Sequence, residues 1–167
     1  MHSRYWGSEM FRKLIWALFF VCGLAHADDT IVSCDGAYQA EISKPGVLRI
    51  KGKTGNFASV KIGHRVDGGK FSQDDTYLVL YGMPFKVSAK SPQANSLTLY
   101  KLDNDQKVVM KQVYGARIYS ADFSVNGKFV AITTRLGVDI LDVERRSIAS
   151  HDPAYTPEFP LQSCEKN

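Results

Sequence analysis

One short pattern occurs three times in this chain, and it restricts the fold more than any other feature. Each copy has a serine, an Asx residue two positions later, then a glycine or aspartate, and an aromatic residue two positions further on. The copies begin at Ser33, Ser72 and Ser124. Adjacent Asx and glycine residues favour tight reversals, and residues two apart lie on one face of a strand. Each copy therefore predicts a strand, a tight turn and a second strand.

Runs of apolar and β-branched residues around the copies predict the remaining strands. These lie at Val47–Lys51, Ala58–Ile62, Arg65–Phe71, Leu97–Leu102, Lys107–Val113, Arg117–Phe123 and Val138–Val143. An insertion, Gly82–Asn95, lengthens the middle copy, and His151-Asp152-Pro153 predicts a turn. The sequence thus predicts one all-β domain, residues 28–167. It comprises three antiparallel meanders at about 28–62, 63–113 and 114–150, and a tail at 151–167.

The size and pattern of these units are typical of propeller blades, which repeat every ~40–45 residues with four short strands. The segment FSVNGKFVA at Phe123–Ala131, with Leu141-Asp142-Val143 after it, resembles the blades of WD40-type and TolB-like β-propellers. The resemblance covers roughly residues 33–150 and implies blade-like sheets, without a particular function. Three blades are fewer than a closed ring needs, and a β-sandwich is the alternative fold.

The first 27 residues have the three regions of a secretory signal peptide. Arg12 and Lys13 are basic, the run Leu14–Leu24 is apolar, and Ala25-His26-Ala27 supplies small residues for cleavage. The apolar run is too short to cross the ~30 Å hydrocarbon core of a membrane. We therefore expect cleavage after Ala27, a periplasmic location, and no stable membrane anchor once the signal is removed.

Two cysteines, Cys34 and Cys164, lie outside the signal segment. A pair of cysteines in an exported protein usually forms a disulfide, and two buried free thiols are the alternative. An array of blades exposes its end faces, which a soluble protein must cover. The tail is rich in proline and aromatic residues, so we expect it to lie across one end, held by Cys164 to Cys34.

The sequence contains no pattern that predicts catalysis, a metal or a cofactor. His64 and His151 each lack a second ligand at zinc spacing, and no G-x-S-x-G nucleophile elbow is present. His64 with Asp67 is a weak candidate for an acid–base pair. The charged residues are of mixed sign and form no basic run, which argues against nucleic acid as a partner. We therefore expect a protein without enzymatic activity.

The insertion is the feature that exceeds what the repeats require. Its tip combines Met83 and Phe85 with Lys86 and Lys90, and loops carry function more often than the scaffolds beneath them. We expect these four residues to bind a protein partner. The general profile is similar to that of small periplasmic immunity proteins of bacterial toxin systems, which implies an inhibitor of a toxin or hydrolase. The alternatives are an envelope scaffold or accessory subunit, and a small hydrolase or carbohydrate-binding protein.

Overall fold

The computed structural model describes residues 30–103 and 106–164, which form twelve β-strands and no helix. The predicted signal peptide lies outside these described residues. The strands are β1 Ile31–Val32, β2 Gln39–Lys44, β3 Val47–Lys51, β4 Phe57–Lys61, β5 Gly68–Phe71, β6 Tyr77–Gly82, β7 Asn95–Lys101, β8 Lys107–Tyr114, β9 Ile118–Phe123, β10 Phe129–Thr134, β11 Gly137–Asp142 and β12 Ser147–His151.

The strands form three separate antiparallel sheets of four strands each. Blade 1 has the order β1-β2-β3-β4, blade 2 has β5-β6-β7-β8, and blade 3 has β9-β10-β11-β12. Within each sheet, every strand pairs with its neighbour in sequence, as expected for a meander joined by short turns. The prediction of three blade-like sheets is confirmed, and a two-sheet sandwich is excluded for this part of the chain.

Two differences from the predicted strands have local causes. Strand β12 was not predicted, because His151-Asp152-Pro153 indicated a turn, yet His151 still pairs with Val138 of β11. Strand β5 begins at Gly68 rather than at Arg65. Before it, the Arg65 N–H bonds to Met83 O in the insertion, and the Asp67 N–H bonds to Tyr81 O in β6.

Burial follows the position of each blade in the row. In blade 2, consecutive residues of β6 and β7 are buried, from Leu78 to Leu80 and from Leu97 to Tyr100. One core lies between blades 1 and 2, and a second lies between blades 2 and 3. The middle blade therefore packs on both faces, which explains why its strands read as continuous apolar runs.

The free face of blade 1 is polar. Glu41 and Arg49 form an ion pair at 3.4 Å, and the Arg49 guanidinium lies 4.1 Å from the centre of the Phe57 ring. Strand β4 alternates between exposed and half-buried residues, as a strand with one solvated face does. Blade 1 thus has the polar outer surface of a terminal repeat in an array.

The free face of blade 3 is covered by the tail. The Phe159 ring stacks on Phe129 with centroids 5.1 Å apart. The Val125 N–H donates to the carbonyl oxygen of Pro160 over 3.0 Å. The tail therefore returns along blade 3 and covers apolar surface that would otherwise be exposed.

The end of the tail reaches the place where the innermost strands of the blades meet. Gln162 is 4 % exposed; its N–H donates to Phe123 O (2.8 Å) and its side-chain amide donates to Phe71 O (3.2 Å). Cys164 then forms a disulfide with Cys34, directly after β1. The predicted disulfide thus joins the last segment to the first blade, and the tail links all three blades.

The repeated pattern builds the same turn in each blade. In blade 3 the Ser124 hydroxyl donates to Asn126 Oδ1 (2.7 Å) and accepts the N–H of Phe129 (3.0 Å). The Gly127 N–H donates to Ser124 O (2.9 Å). The equivalent bonds recur in the turns of blades 1 and 2. Serine and Asx are therefore retained because their side chains satisfy the backbone of the turn.

We expect Gly127→Val to lower the free energy of unfolding by about 1–3 kcal/mol, because a β-branched residue tolerates a positive φ poorly. Gly127 has a φ of 68°. Gly63 is the matched control, since its φ is not left-handed and a Cβ there would meet open space. Urea unfolding of Gly127→Val beside Gly63→Val measures the difference. Equal losses would show that the turn does not require the left-handed conformation.

Candidate functional site

The strands run between two opposite faces of the arc. The turn face is formed by the turns that follow Ser33, Ser72 and Ser124. The loop face, at the other ends of the strands, carries the insertion between β6 and β7, the β2–β3 and β10–β11 turns, and the connections between blades.

The base of the insertion is fixed to the connection between blades 1 and 2. The Arg65 N–H donates to Met83 O and the Asp67 N–H donates to Tyr81 O, each over 2.8 Å. His64 makes an isolated antiparallel bridge with the next residue of the insertion, Pro84. These bonds extend the β5–β6 ladder into the loop, so the predicted binding residues begin from a rigid base.

The structure exposes all four residues that the sequence predicts for partner binding. Met83 is 38 % exposed and Phe85 is 45 % exposed, and Lys86 and Lys90 are also exposed. Val87, at 43 % exposure, is a third exposed apolar residue of the insertion. The insertion therefore presents three apolar side chains and two cations to solvent.

Met83 and Phe85 nevertheless line different cavities. Phe85 belongs to a cavity of about 430 Å³ beside blade 1, whose wall includes Pro45 and Gly46. Met83 belongs to a cavity of about 530 Å³ that includes Arg117 and Arg135, on the side of blade 3. The insertion thus divides the loop face into two concave regions.

The loop face is strongly basic, which the sequence did not reveal. Its exposed cations form no ion pair within residues 30–103 and 106–164; they are Lys44, Lys61, Arg65, Lys86, Lys90, Arg117 and Arg135. Asp67 is an exposed carboxylate on the same face. The excess of positive charge makes this face attractive to an acidic surface.

His64 is a structural residue of the loop face. It is 2 % exposed, with Nδ1 2.6 Å from Arg65 O and Nε2 3.0 Å from the Thr98 hydroxyl. A carbonyl oxygen only accepts, so Nδ1 carries the hydrogen and Nε2 accepts from Thr98. Burial lowers the pKa of His64 and keeps the ring neutral. No hydrogen bond joins it to Asp67 within the described residues, so the acid–base pair considered from the sequence is not formed.

The turn face carries a different arrangement of charges. The Lys53 ammonium lies 3.5 Å from a carboxylate oxygen of Asp35 and 3.5 Å from one of Asp75. The Ala37 N–H and the Ser33 hydroxyl lower the pKa of Asp35. Burial, with the nearby charge of Asp35, raises the pKa of Asp75. Lys53 is therefore already paired with carboxylates, in contrast to the unpaired cations of the loop face.

We expect Asp75→Asn to stabilise the protein at pH 7 by less than about 1 kcal/mol, because water screens the charges of Asp35 and Lys53, whose side chains are more than half exposed. A carboxyl group whose pKa is raised by folding contributes most stability below its unfolded pKa, and that contribution is lost as pH rises through the folded pKa. Asparagine does not ionise, and it also tolerates the φ of 58° at this position. Thermal unfolding at pH 7 and pH 3 tests this: the gain should disappear at pH 3. A gain of equal size at both pH values would contradict the electrostatic cause.

Within residues 30–103 and 106–164, no group of three or more His, Cys, Asp or Glu residues is placed to hold a metal ion. In the same part of the chain, no helix has the length and apolar character needed to cross a membrane.

No family model and no curated protein matches the sequence at a significant level. Solved β-propeller structures are similar in fold. The Swd1 β-propeller domain of Myceliophteria thermophila has a TM-score of 0.52 and 14 % identity, covering 74 % of this chain and 40 % of that one. The β-propeller domain of the trilobed protease from Pyrococcus furiosus has an open velcro topology. Its TM-score is 0.51 at 11 % identity, and the match covers 78 % of this chain and 42 % of that one. A eukaryotic initiation factor has a TM-score of 0.56 at 14 % identity, and the match covers 74 % of this chain and 32 % of that one.

The chain therefore has the fold of three β-propeller blades joined in an open arc. It spans between about a third and two fifths of the length of the structures it matches. Structural similarity at sequence identities this low establishes the fold alone and carries no information on function.

Proposed function

We propose that the protein is a protein-binding module whose partner docks on the loop face. The observation that carries this proposal is the insertion, which exposes Met83, Phe85 and Val87 between unpaired cations. Apolar anchors surrounded by a polar rim are the usual arrangement of an interface. The partner has a complementary acidic surface with a pocket or groove for the apolar side chains.

We further propose that the protein acts by binding rather than by catalysis. The loop-face features that remain available to a partner are apolar side chains, guanidinium groups and ammonium groups, which suit recognition. The buried histidine near this face is engaged through both ring nitrogens, so it is not available as a base. An arc of three blades with one elaborated face is well suited to cover the surface of another protein.

The specific form of this proposal is an inhibitor or immunity protein that occludes a toxin or hydrolase in the periplasm. A structural disulfide is compatible with an oxidising compartment, and the signal-like segment before Asp28 agrees with export. Attraction between the basic face and an acidic partner increases the rate of association, an effect that salt reduces.

Affinity capture from periplasmic extract, followed by mass spectrometry, tests the proposal. The wild-type protein is compared with Lys86→Gln/Lys90→Gln on the insertion and with Lys51→Gln/Lys128→Gln as a control. The control removes two exposed lysines near the turn face, with the same change in charge. We expect the control to retain the partner and the insertion variant to lose most of it. Loss with the control alone would place the interface on the turn face and contradict the proposal.

An activity assay of the captured protein distinguishes the finer alternatives. A toxin or hydrolase whose activity falls when the protein is added supports occlusion. A captured envelope protein without such activity would support a scaffold instead, and it would contradict the inhibitor proposal.

A further inference from the structure

A concave site lies at the seam between blades 2 and 3 on the loop face. The cavity of about 530 Å³ is lined by side chains of different character, including Asp67, Met83, Pro92, Asn95, Arg117 and Arg135. This volume is in the range of cavities that hold small groups. Apolar, acceptor and cationic groups therefore share one cavity.

Asn95 is the most unusual residue of this cavity. Asn95 is 1 % exposed, and its Oδ1 atom is buried without a hydrogen-bond partner in the described part of the chain. Burying an amide oxygen without a donor is unfavourable, and most native proteins avoid it. Because Oδ1 is inaccessible to solvent, a bound group reaches it only when the side-chain amide turns toward the cavity, and an N–H donor on that group then satisfies the oxygen.

The two arginines of the cavity, Arg117 and Arg135, supply hydrogen-bond donors with positive charge. Arg117 forms no hydrogen bond or ion pair within residues 30–103 and 106–164. Arg135 donates one bond to Gln93 Oε1 over 2.5 Å and retains its other N–H groups. Guanidinium groups bind carboxylates with paired hydrogen bonds. With the carboxylate of Asp67 on the rim, the cavity favours a monoanion over a dianion such as phosphate.

We propose that this cavity binds the C-terminal residue of a polypeptide, an inference that rests on the proposed protein-binding function. A C-terminal residue carries a carboxylate next to an amide N–H. The cavity requires this combination of an anion and a nearby N–H donor. The carboxylate bonds to Arg117 and Arg135, and the N–H donates to Asn95 Oδ1. The terminal side chain packs against Met83 and Pro92. An Asp or Glu side chain lacks the adjacent N–H donor and fits less well.

The test is a nuclear magnetic resonance titration of the ¹⁵N-labelled protein with N-acetyl-glycyl-glycyl-leucine. The same peptide with a C-terminal amide, and free leucine, are the comparison probes. We expect the acid to shift the Asn95 side-chain amide signals and to bind at least tenfold more tightly than the amide. Arg117→Gln should weaken binding of the acid at least tenfold. Arg145→Gln, on an arginine with 82 % side-chain exposure between β11 and β12, should leave it unchanged.

Several outcomes overturn the proposal. Equal binding of the acid and the amide would remove the role of the carboxylate. Shifts confined to residues away from the cavity, or no binding at about 10 mM peptide, would remove the site. Binding of free leucine without binding of the peptide would indicate an amino-acid site instead. Arg117 is exposed, so its substitution is not expected to affect folding.

This experiment is separable from the test of the proposed function. If the captured partner depends on the insertion but tolerates an extension of its C terminus, the C-terminal proposal fails alone. If the partner binds the turn face, the proposed function fails, while the peptide titration still reports on the cavity.

Discussion

Replacing Cys34 and Cys164 together with serine is expected to lower the free energy of unfolding by about 4–5 kcal/mol. The two cysteines are 130 residues apart in sequence. The disulfide therefore restricts almost the whole unfolded chain, and the chain-entropy model gives a loss of this size for such a long loop. Urea unfolding of the double variant beside the wild type, with linear extrapolation, measures the change.

The contacts of the tail indicate where the loss should be visible locally. The Gln162 N–H bonds to Phe123 O, and the Val125 N–H bonds to Pro160 O. Both hydrogen bonds depend on the tail remaining on blade 3. We expect these two amides to lose protection from hydrogen exchange in the double variant, while amides within β6 and β7 remain protected against local opening.

The wild type with its disulfide reduced and alkylated is a second route to the same state, although it adds bulk at the two sulfurs. Agreement between the two preparations would attribute the effect to the bond rather than to serine. A loss below about 1 kcal/mol, with the amides of Gln162 and Val125 still protected, would mean that non-covalent contacts hold the tail. In that case Phe159 and Gln162 would be the main stabilising groups.

Local chemistry explains why much of the fold could be predicted from the sequence. The turn after Ser124 is specified by residues within five positions of one another, because the Ser124 hydroxyl and the Asn126 side chain bond to backbone close by. Strand β3 has the predicted bounds, Val47–Lys51. Because these short-range interactions are repeated in every blade, the three copies of the pattern all indicated the same turn.

Features that depend on distant residues could not be predicted in the same way. Arg65, Arg117 and Arg135 are scattered along the chain, and they share a face only because each follows a strand that ends on that face. Asn95 reads as an ordinary polar residue at the start of a strand, and its burial, at 1 % exposure, arises only in the folded chain. The insertion is visible in the sequence as an excess of length, but its two cavities are visible only in three dimensions.

Phe85→Ala is expected to weaken binding of the captured partner by about 2 kcal/mol or more, the loss typical of a central aromatic anchor. The side chain is 45 % exposed and projects from a loop whose base is fixed to the blade connection. Pro84 before it restricts the chain, so less conformational entropy is lost on association. Isothermal titration calorimetry with wild type and variant measures the change.

Phe57→Ala is the matched control, because Phe57 is 51 % exposed but lies on the free face of blade 1 beside Arg49. We expect it to leave the affinity unchanged. Both variants should retain the melting temperature of the wild type to within a few degrees, since neither side chain is buried.

The ring of Phe85 does lie near blade 1, where a Cβ at Gly46 would be 3.7 Å from its Cε2 atom. A large fall in stability with unchanged affinity would therefore identify Phe85 as a packing residue between the insertion and blade 1. The partner would then have to bind elsewhere on the loop face, where Met83 and the two arginines of the seam are the remaining anchors.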